Sequence, residues 1–187
     1  MDIREHSITL VSVIVGLGLT ELLANLNRLI RARREVRWHA LPLLWAAVCL
    51  ILVVNLWWGI YLGAIGIANP TNAAQFLLYL FVPVLLYLVC AAALPEPGPH
   101  GPTDLRARYY EGSRYFSVLL FAYVAATMGQ AYLAQGGVDL SVTTLLRLGI
   151  LVVLLPLVWV RHPGYHWFAA VFMLGILALR MTTQVLH

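Results

Sequence analysis

Apolar residues fill six long runs of this chain, separated by short polar or turn-forming clusters. The runs cover 7–30, 40–66, 73–94, 115–134, 141–160 and 165–184. Each is close to the ~20 residues a helix needs to cross the hydrocarbon layer of a bilayer. None shows the sustained two-residue alternation that a membrane barrel requires. Helices remain, because lipid offers nothing to an unpaired backbone N–H or C=O. The pattern therefore predicts one all-α domain, an integral membrane bundle of six transmembrane helices.

The breaks are marked by residues that resist helix. Asn69-Pro70-Thr71-Asn72 is a turn cluster. Pro95-Glu96-Pro97-Gly98-Pro99-His100-Gly101-Pro102 cannot be helical, since each proline removes a donor and clashes with the preceding turn. Gly136-Gly137 ends the fourth run, and Arg161-His162-Pro163-Gly164 is a tight hairpin between the last two. The polar linker 31–39 either turns at once or continues the first helix before bending. Pro83 and Pro156 lie inside the third and fifth runs, where each should kink its helix or free a carbonyl.

Composition agrees. The chain is 61% hydrophobic and 11% charged, with mean hydropathy +0.84, whereas soluble domains carry roughly 25% charged residues. A soluble core could not hide this much apolar surface, and disorder needs low hydrophobicity. The isoelectric point near 9.3 would suit nucleic acid, but the basic residues fall in short loops between runs, the pattern of orientation signals. No nucleic-acid partner is expected. Cys49 and Cys90 sit inside apolar runs without CxxC or metal-ligand spacing and read as small buried hydrophobes. Asp2, Arg4 and Glu5 do not make a basic n-region, so the first run is expected to remain as a helix.

All twelve basic residues are arginines. Nine of the twelve gather on one side: Arg28, Arg31, Arg33, Arg34 and Arg37 around the first linker, Arg106, Arg108 and Arg114 in the third, and Arg161 in the last hairpin. The positive-inside rule puts these in the cytoplasm of a bacterial inner membrane, with the loops 67–72 and 135–140 and both ends of the sequence outside. The same loops should draw anionic lipid. Trp57, Trp58 and Tyr61 at the outer boundary, and Tyr109, Tyr110, Tyr115, Trp159, Tyr165 and Trp167 at the inner one, read as interfacial belts.

Glu21 is the most informative residue, just past the middle of the first run. A carboxylate in hydrocarbon is costly, so such a residue usually faces a partner inside the bundle. Helical spacing puts Gly18, Glu21, Asn25 and Arg28 on one stripe. The stripe is either a polar path for protons or ions, or an internal pair that locks the first helix to its neighbours. Asn55 is the only strongly polar side chain deep in the second run and Gln130 plays that part in the fourth, and with Glu21, Arg147 and Arg180 they could line one cavity. Arg147 and Arg180 could equally snorkel. Ser12, Gly16 and Thr20, and likewise Gly59 and Gly63, repeat small residues every four positions and read as helix-packing surfaces.

The six histidines are His6, His39, His100, His162, His166 and His187, all placed at interfaces, in loops or at the chain end. His162 and His166 straddle Pro163-Gly164, which spoils a helical ligand pair, so no metal site is expected. No GxSxG, HExxH, phosphate-binding loop, dinucleotide fingerprint or haem attachment motif occurs, so enzyme activity is disfavoured and no cofactor is expected.

Three runs followed by three more suits an inverted repeat, and Ser12-Val13 with Thr20 faintly matches Ser117-Val118 with Thr127. The opening Leu10-Val11-Ser12-Val13-Ile14-Val15-Gly16-Leu17-Gly18-Leu19-Thr20-Glu21-Leu22-Leu23, the arginine-rich linker, Leu43-Leu44-Trp45-Ala46 and Asn55-Leu56-Trp57-Trp58 resemble a group of bacterial multi-span inner-membrane proteins of unassigned activity. The resemblance covers mainly the first two runs and implies the same architecture. A bacterial six-helix potassium-channel family also places a polar Ser motif and a Thr in its first helix, but the Phe-Ser-Asp signature of that family is missing, so its pore residues are not carried over.

Two functional expectations follow. One is a structural, interaction or sensory membrane subunit. The other is a small ion or proton channel or transporter, assembled as a homo-oligomer around Glu21. A lipid-acting membrane enzyme is a weaker third.

Overall fold

The computed structural model describes residues 3–61, 73–96, 103–135 and 142–185. Six α-helices account for nearly all of them: α1 (Ile3–Arg31), α2 (Ala40–Tyr61), α3 (Ala73–Ala93), α4 (Leu105–Gln135), α5 (Val142–Leu154) and α6 (Pro163–Val185). Five are long and apolar enough to cross a membrane, and α5 is the exception. The all-α expectation holds.

Three boundaries differ from expectation, each for a local reason. Helix α4 starts at Leu105, so Arg106, Arg108 and Arg114 ride on its first turns instead of a loop. Asp104 caps it, its Oδ1 accepting from the backbone N–H of Arg106 at 2.9 Å and of Ala107 at 3.2 Å. Leu105, Tyr109, Ser113 and Phe116 then give the extension a buried face. Helix α5 gives way at Leu155–Val158 to a 3-10 turn around Pro156, which has no N–H to continue the α-helical ladder. Helix α6 begins on Pro163 itself. Proline suits a first helical position, and the His162 carbonyl accepts from the N–H groups of Tyr165 and His166. The clusters Asn69–Asn72 and Gly136-Gly137, with most of the Pro-rich stretch, lie outside the described residues.

Helix α2 is central, packed on α1, α3, α4 and α6. Trp45, Val48 and Cys49 on it are fully buried, with Leu86 and Val89 of α3, Leu120 of α4 and Met173 of α6. Helix α1 lies against α3, α3 against α4, and α4 carries α5. An inverted repeat would pair α4 with α6 along their lengths as α1 pairs with α3, yet among the described residues α4 and α6 meet mainly through side chains at one end, Tyr109 and Tyr110 against His166.

The three arginine-bearing segments meet at one end, the basic end. After α1 a turn leads to a two-residue strand, β1 (Val36–Arg37), which pairs in parallel with β2 (Thr103–Asp104), tying the first linker to the third. The Glu35 carbonyl adds a bond from the Thr103 N–H at 2.7 Å. The last hairpin joins them through His39 and Trp167, whose rings lie 6.2 Å apart.

Candidate functional site

The stripe on α1 folds into a hub around Arg28. Its Nη1 donates to Asn25 Oδ1 at 3.0 Å and to Glu96 Oε1 at 2.7 Å, and Nη2 stands 3.9 Å from Glu21 Oε1. Asn25 is buried, whereas the side chains of Glu21 and Arg28 are 34% and 45% exposed. Glu21 lies ten residues before the end of α1, about 15 Å along the axis at the usual rise. Arg28 therefore reaches back along its own helix toward Glu21, and this contact lies within α1 and is partly exposed; the tie to another segment comes from Glu96.

Gly18 supplies the close approach between helices. A Cβ built there would lie 3.3 Å from the Tyr87 Cα and 3.8 Å from Cys90 Sγ, so glycine lets α1 sit this near α3 without pushing the α3 backbone aside. The stripe of Ser12, Gly16 and Thr20 behaves otherwise. Ser12 is half-buried, Gly16 and Thr20 are exposed, and nothing approaches within 4 Å of a Cβ on Gly16. The Thr20 hydroxyl bonds back to the Gly16 carbonyl at 2.8 Å. The expected packing surface is thus outward, on the side of α1 away from α3. Asn27, one heptad beyond Thr20, is exposed on the same side. Gly59 is buried on α2, and Gly63 lies outside the described residues.

Among the remaining polar candidates, Gln130 is tied to α3. Gln130 Nε2 donates to the Leu78 carbonyl at 2.7 Å and reaches the Tyr79 carbonyl at 3.5 Å. Tyr79 is the residue whose carbonyl Pro83, four positions on, cannot serve. Gln130 thus bonds the carbonyl next to the one the proline leaves unserved, and lies 3.5 Å from that one. Arg147 of α5 and Arg180 of α6 are half-buried and lie within electrostatic reach of each other and of the buried Tyr123 of α4. Asn55 is half-buried on α2.

Two arrangements were not legible beforehand. The thiols of Cys49 and Cys90, far apart in sequence, face each other across α2 and α3. His166, placed at an interface by sequence, is fully buried. Its Nε2–H donates to the Val160 carbonyl at 2.9 Å, so Nδ1 is left to accept the Tyr109 hydroxyl at 2.9 Å. Tyr109 and Tyr110 set their rings edge-on to the imidazole. Trp45 lies edge-on to Phe116, and its Nε1–H and the Tyr110 hydroxyl are buried without a partner among the described residues. The signal was present in Pro163: a helix starting there puts His166 on its first turn. Of the aromatic residues read as a belt, Tyr115, Trp159 and Trp167 are exposed, whereas Tyr109 is buried in the core.

Comparison with known protein families, characterised proteins and solved structures finds no match to this chain.

Proposed function

We propose that this chain is a six-span protein of a bacterial cytoplasmic membrane that works by association, its first helix docking on the first helix of a second copy. The three arginine-bearing loops then lie inside and both ends of the sequence outside. Exposed apolar side chains support the membrane reading: Leu77, Leu133 and Val152 are each at least 65% exposed, a surface that water would not tolerate over a wide area. The short fifth helix is compatible with a sixth crossing. Its α-helical part rises about 20 Å and its 3-10 turn about 8 Å, near the ~30 Å of hydrocarbon. The meeting of the arginines at one end supports the orientation. They would draw anionic lipid at about 1 kcal/mol each.

The outward face of α1 carries the association reading. Gly16, Thr20 and Asn27 are exposed there, and Glu21 at its flank is a third exposed near mid-span. Small residues let a second backbone come close, and a polar group in hydrocarbon gains from any partner it finds. A second copy inserted in the same direction offers this face in parallel, so Gly16 meets Gly16. Arg28 beside Glu21 lets the carboxylate approach as part of an ion pair.

Ion and proton flux through proteoliposomes of the purified chain separates association from transport. Association predicts no flux above empty vesicles at any pH. Flux that disappears in Glu21→Gln would replace it with a transport role.

A further inference from the structure

The turn that closes α1 forms an open cleft of about 330 Å³, lined by Arg31, Ala32, Arg33, Arg34 and Glu35. Its backbone is tied on itself. The carbonyls of Arg28, Ile30 and Ala32 accept from the N–H groups of Ala32, Arg33 and Glu35 at 3.0, 3.2 and 2.8 Å. The Glu35 carbonyl then accepts from Thr103, and the β1–β2 pair follows directly. The cleft is thus held at both ends before a ligand arrives, which lowers the ordering cost of binding.

Arg31, Arg33 and Arg34 are exposed, and none makes an ion pair among the described residues, where the ion pairs involve Arg28 and Arg108. Glu35 shares the cleft without pairing with any of them. Three positive charges against one carboxylate leave an excess of two. The carbonyl end of α1 disfavours an anion at the turn, so the guanidinium groups must hold one. Their planar donors match phosphate oxygens two at a time. A ligand with two phosphodiester charges balances the excess, whereas a single phosphate leaves half of it.

Depth selects the source of those phosphates. Ile30, just before the cleft, is 49% exposed, and Trp38, just beyond it, is 44% exposed. An exposed isoleucine suits hydrocarbon and tryptophan favours the headgroup layer. The turn between them stands where lipid phosphates lie.

We propose that the turn at 31–35 binds a lipid whose headgroup carries two phosphates, of the diphosphatidylglycerol class. The site rests on the chain being embedded in a bilayer and not on association through α1.

The test uses the full chain, purified in detergent and titrated with diphosphatidylglycerol, phosphatidylglycerol or inorganic pyrophosphate. Bound lipid and particle size are both read by native mass spectrometry, so loss of lipid and loss of association are scored separately. Diphosphatidylglycerol should be retained roughly fivefold or more over phosphatidylglycerol. That preference should vanish in Arg33→Gln/Arg34→Gln and persist in Arg33→Lys/Arg34→Lys, which keeps the charge and guards against misfolding as the cause. Arg106 and Arg108 lie outside the cleft, so Arg106→Gln/Arg108→Gln should weaken both lipids alike and leave the preference unchanged. Equal retention of the two lipids, or a preference lost equally in the Arg33/Arg34 and Arg106/Arg108 glutamine variants, would overturn the site. Pyrophosphate displacing the lipid at equal concentration would overturn the lipid as its ligand. A chain that stays dispersed without detergent would remove the membrane reading and this site together, whereas a lost preference in a chain that needs detergent removes the site alone.

Discussion

The amide of Gln130 on α4 donates to the Leu78 carbonyl of α3 at 2.7 Å, beside the Tyr79 carbonyl that Pro83 leaves without its helical partner. The side chain of one helix thus bonds the backbone of another close to the position where proline removes a helical donor. Gln130→Leu is expected to lower stability by about 0.5–2 kcal/mol. The loss should shrink when Pro83 is also replaced by alanine, because the helix then supplies its own N–H. Thermal unfolding of the two single variants and the double variant measures this coupling. Equal losses with and without the proline would show that the amide serves something else.

The two glycines of α1 should respond in opposite ways. Gly18→Val forces a side chain against the Tyr87 backbone and should destabilise by about 1–3 kcal/mol. Gly16→Ala meets open space and should leave the melting temperature of the monomer unchanged or slightly raised. Parallel melting curves in one detergent check the contrast, which is lost if both variants shift alike.

At the basic end, Tyr109→Phe removes the donor to His166 Nδ1 and leaves a buried ring nitrogen unpaired. The expected loss is about 1–3 kcal/mol. His166→Ala removes a fully buried ring as well and should cost more, on the order of 3–5 kcal/mol. Chemical denaturation would show the order of the two, and a more stable His166→Ala would contradict it.

Topology can be read by labelling. Glu35, Ala107 and His162 are exposed residues from the three arginine-bearing segments. Cysteines placed there one at a time, with Cys49 and Cys90 replaced by serine, should react with an impermeant maleimide only from the cytoplasmic side. Labelling of His162→Cys alone from outside would remove the sixth crossing.

Much of this arrangement was legible in the chain because lipid-length apolar runs leave few alternatives. Glu21, Asn25 and Arg28 were found as a stripe because helical spacing is local, and the hub realises it. Glu96 was missed because it comes from another helix end, 68 residues away from Arg28. The meeting of Cys49 with Cys90 and of Tyr109 with His166 is equally non-local. Gly16 and Gly18 are two residues apart and differ only in which way their helix turns. Periodicity shows that α1 has two small-residue faces, but not which one α3 covers.

Association through that outer face is tested most directly by cross-linking in native membranes. Leu17 is 54% exposed and next to Gly16, so Leu17→Cys, with Cys49 and Cys90 replaced by serine, places a thiol at the edge of the α1 contact. Mild oxidation should convert most of the chain to a covalent dimer, and adding Gly16→Leu should abolish that dimer while the monomer remains folded. A Leu17→Cys chain that stays monomeric under oxidation, or a dimer that forms equally well with Gly16→Leu, would contradict it.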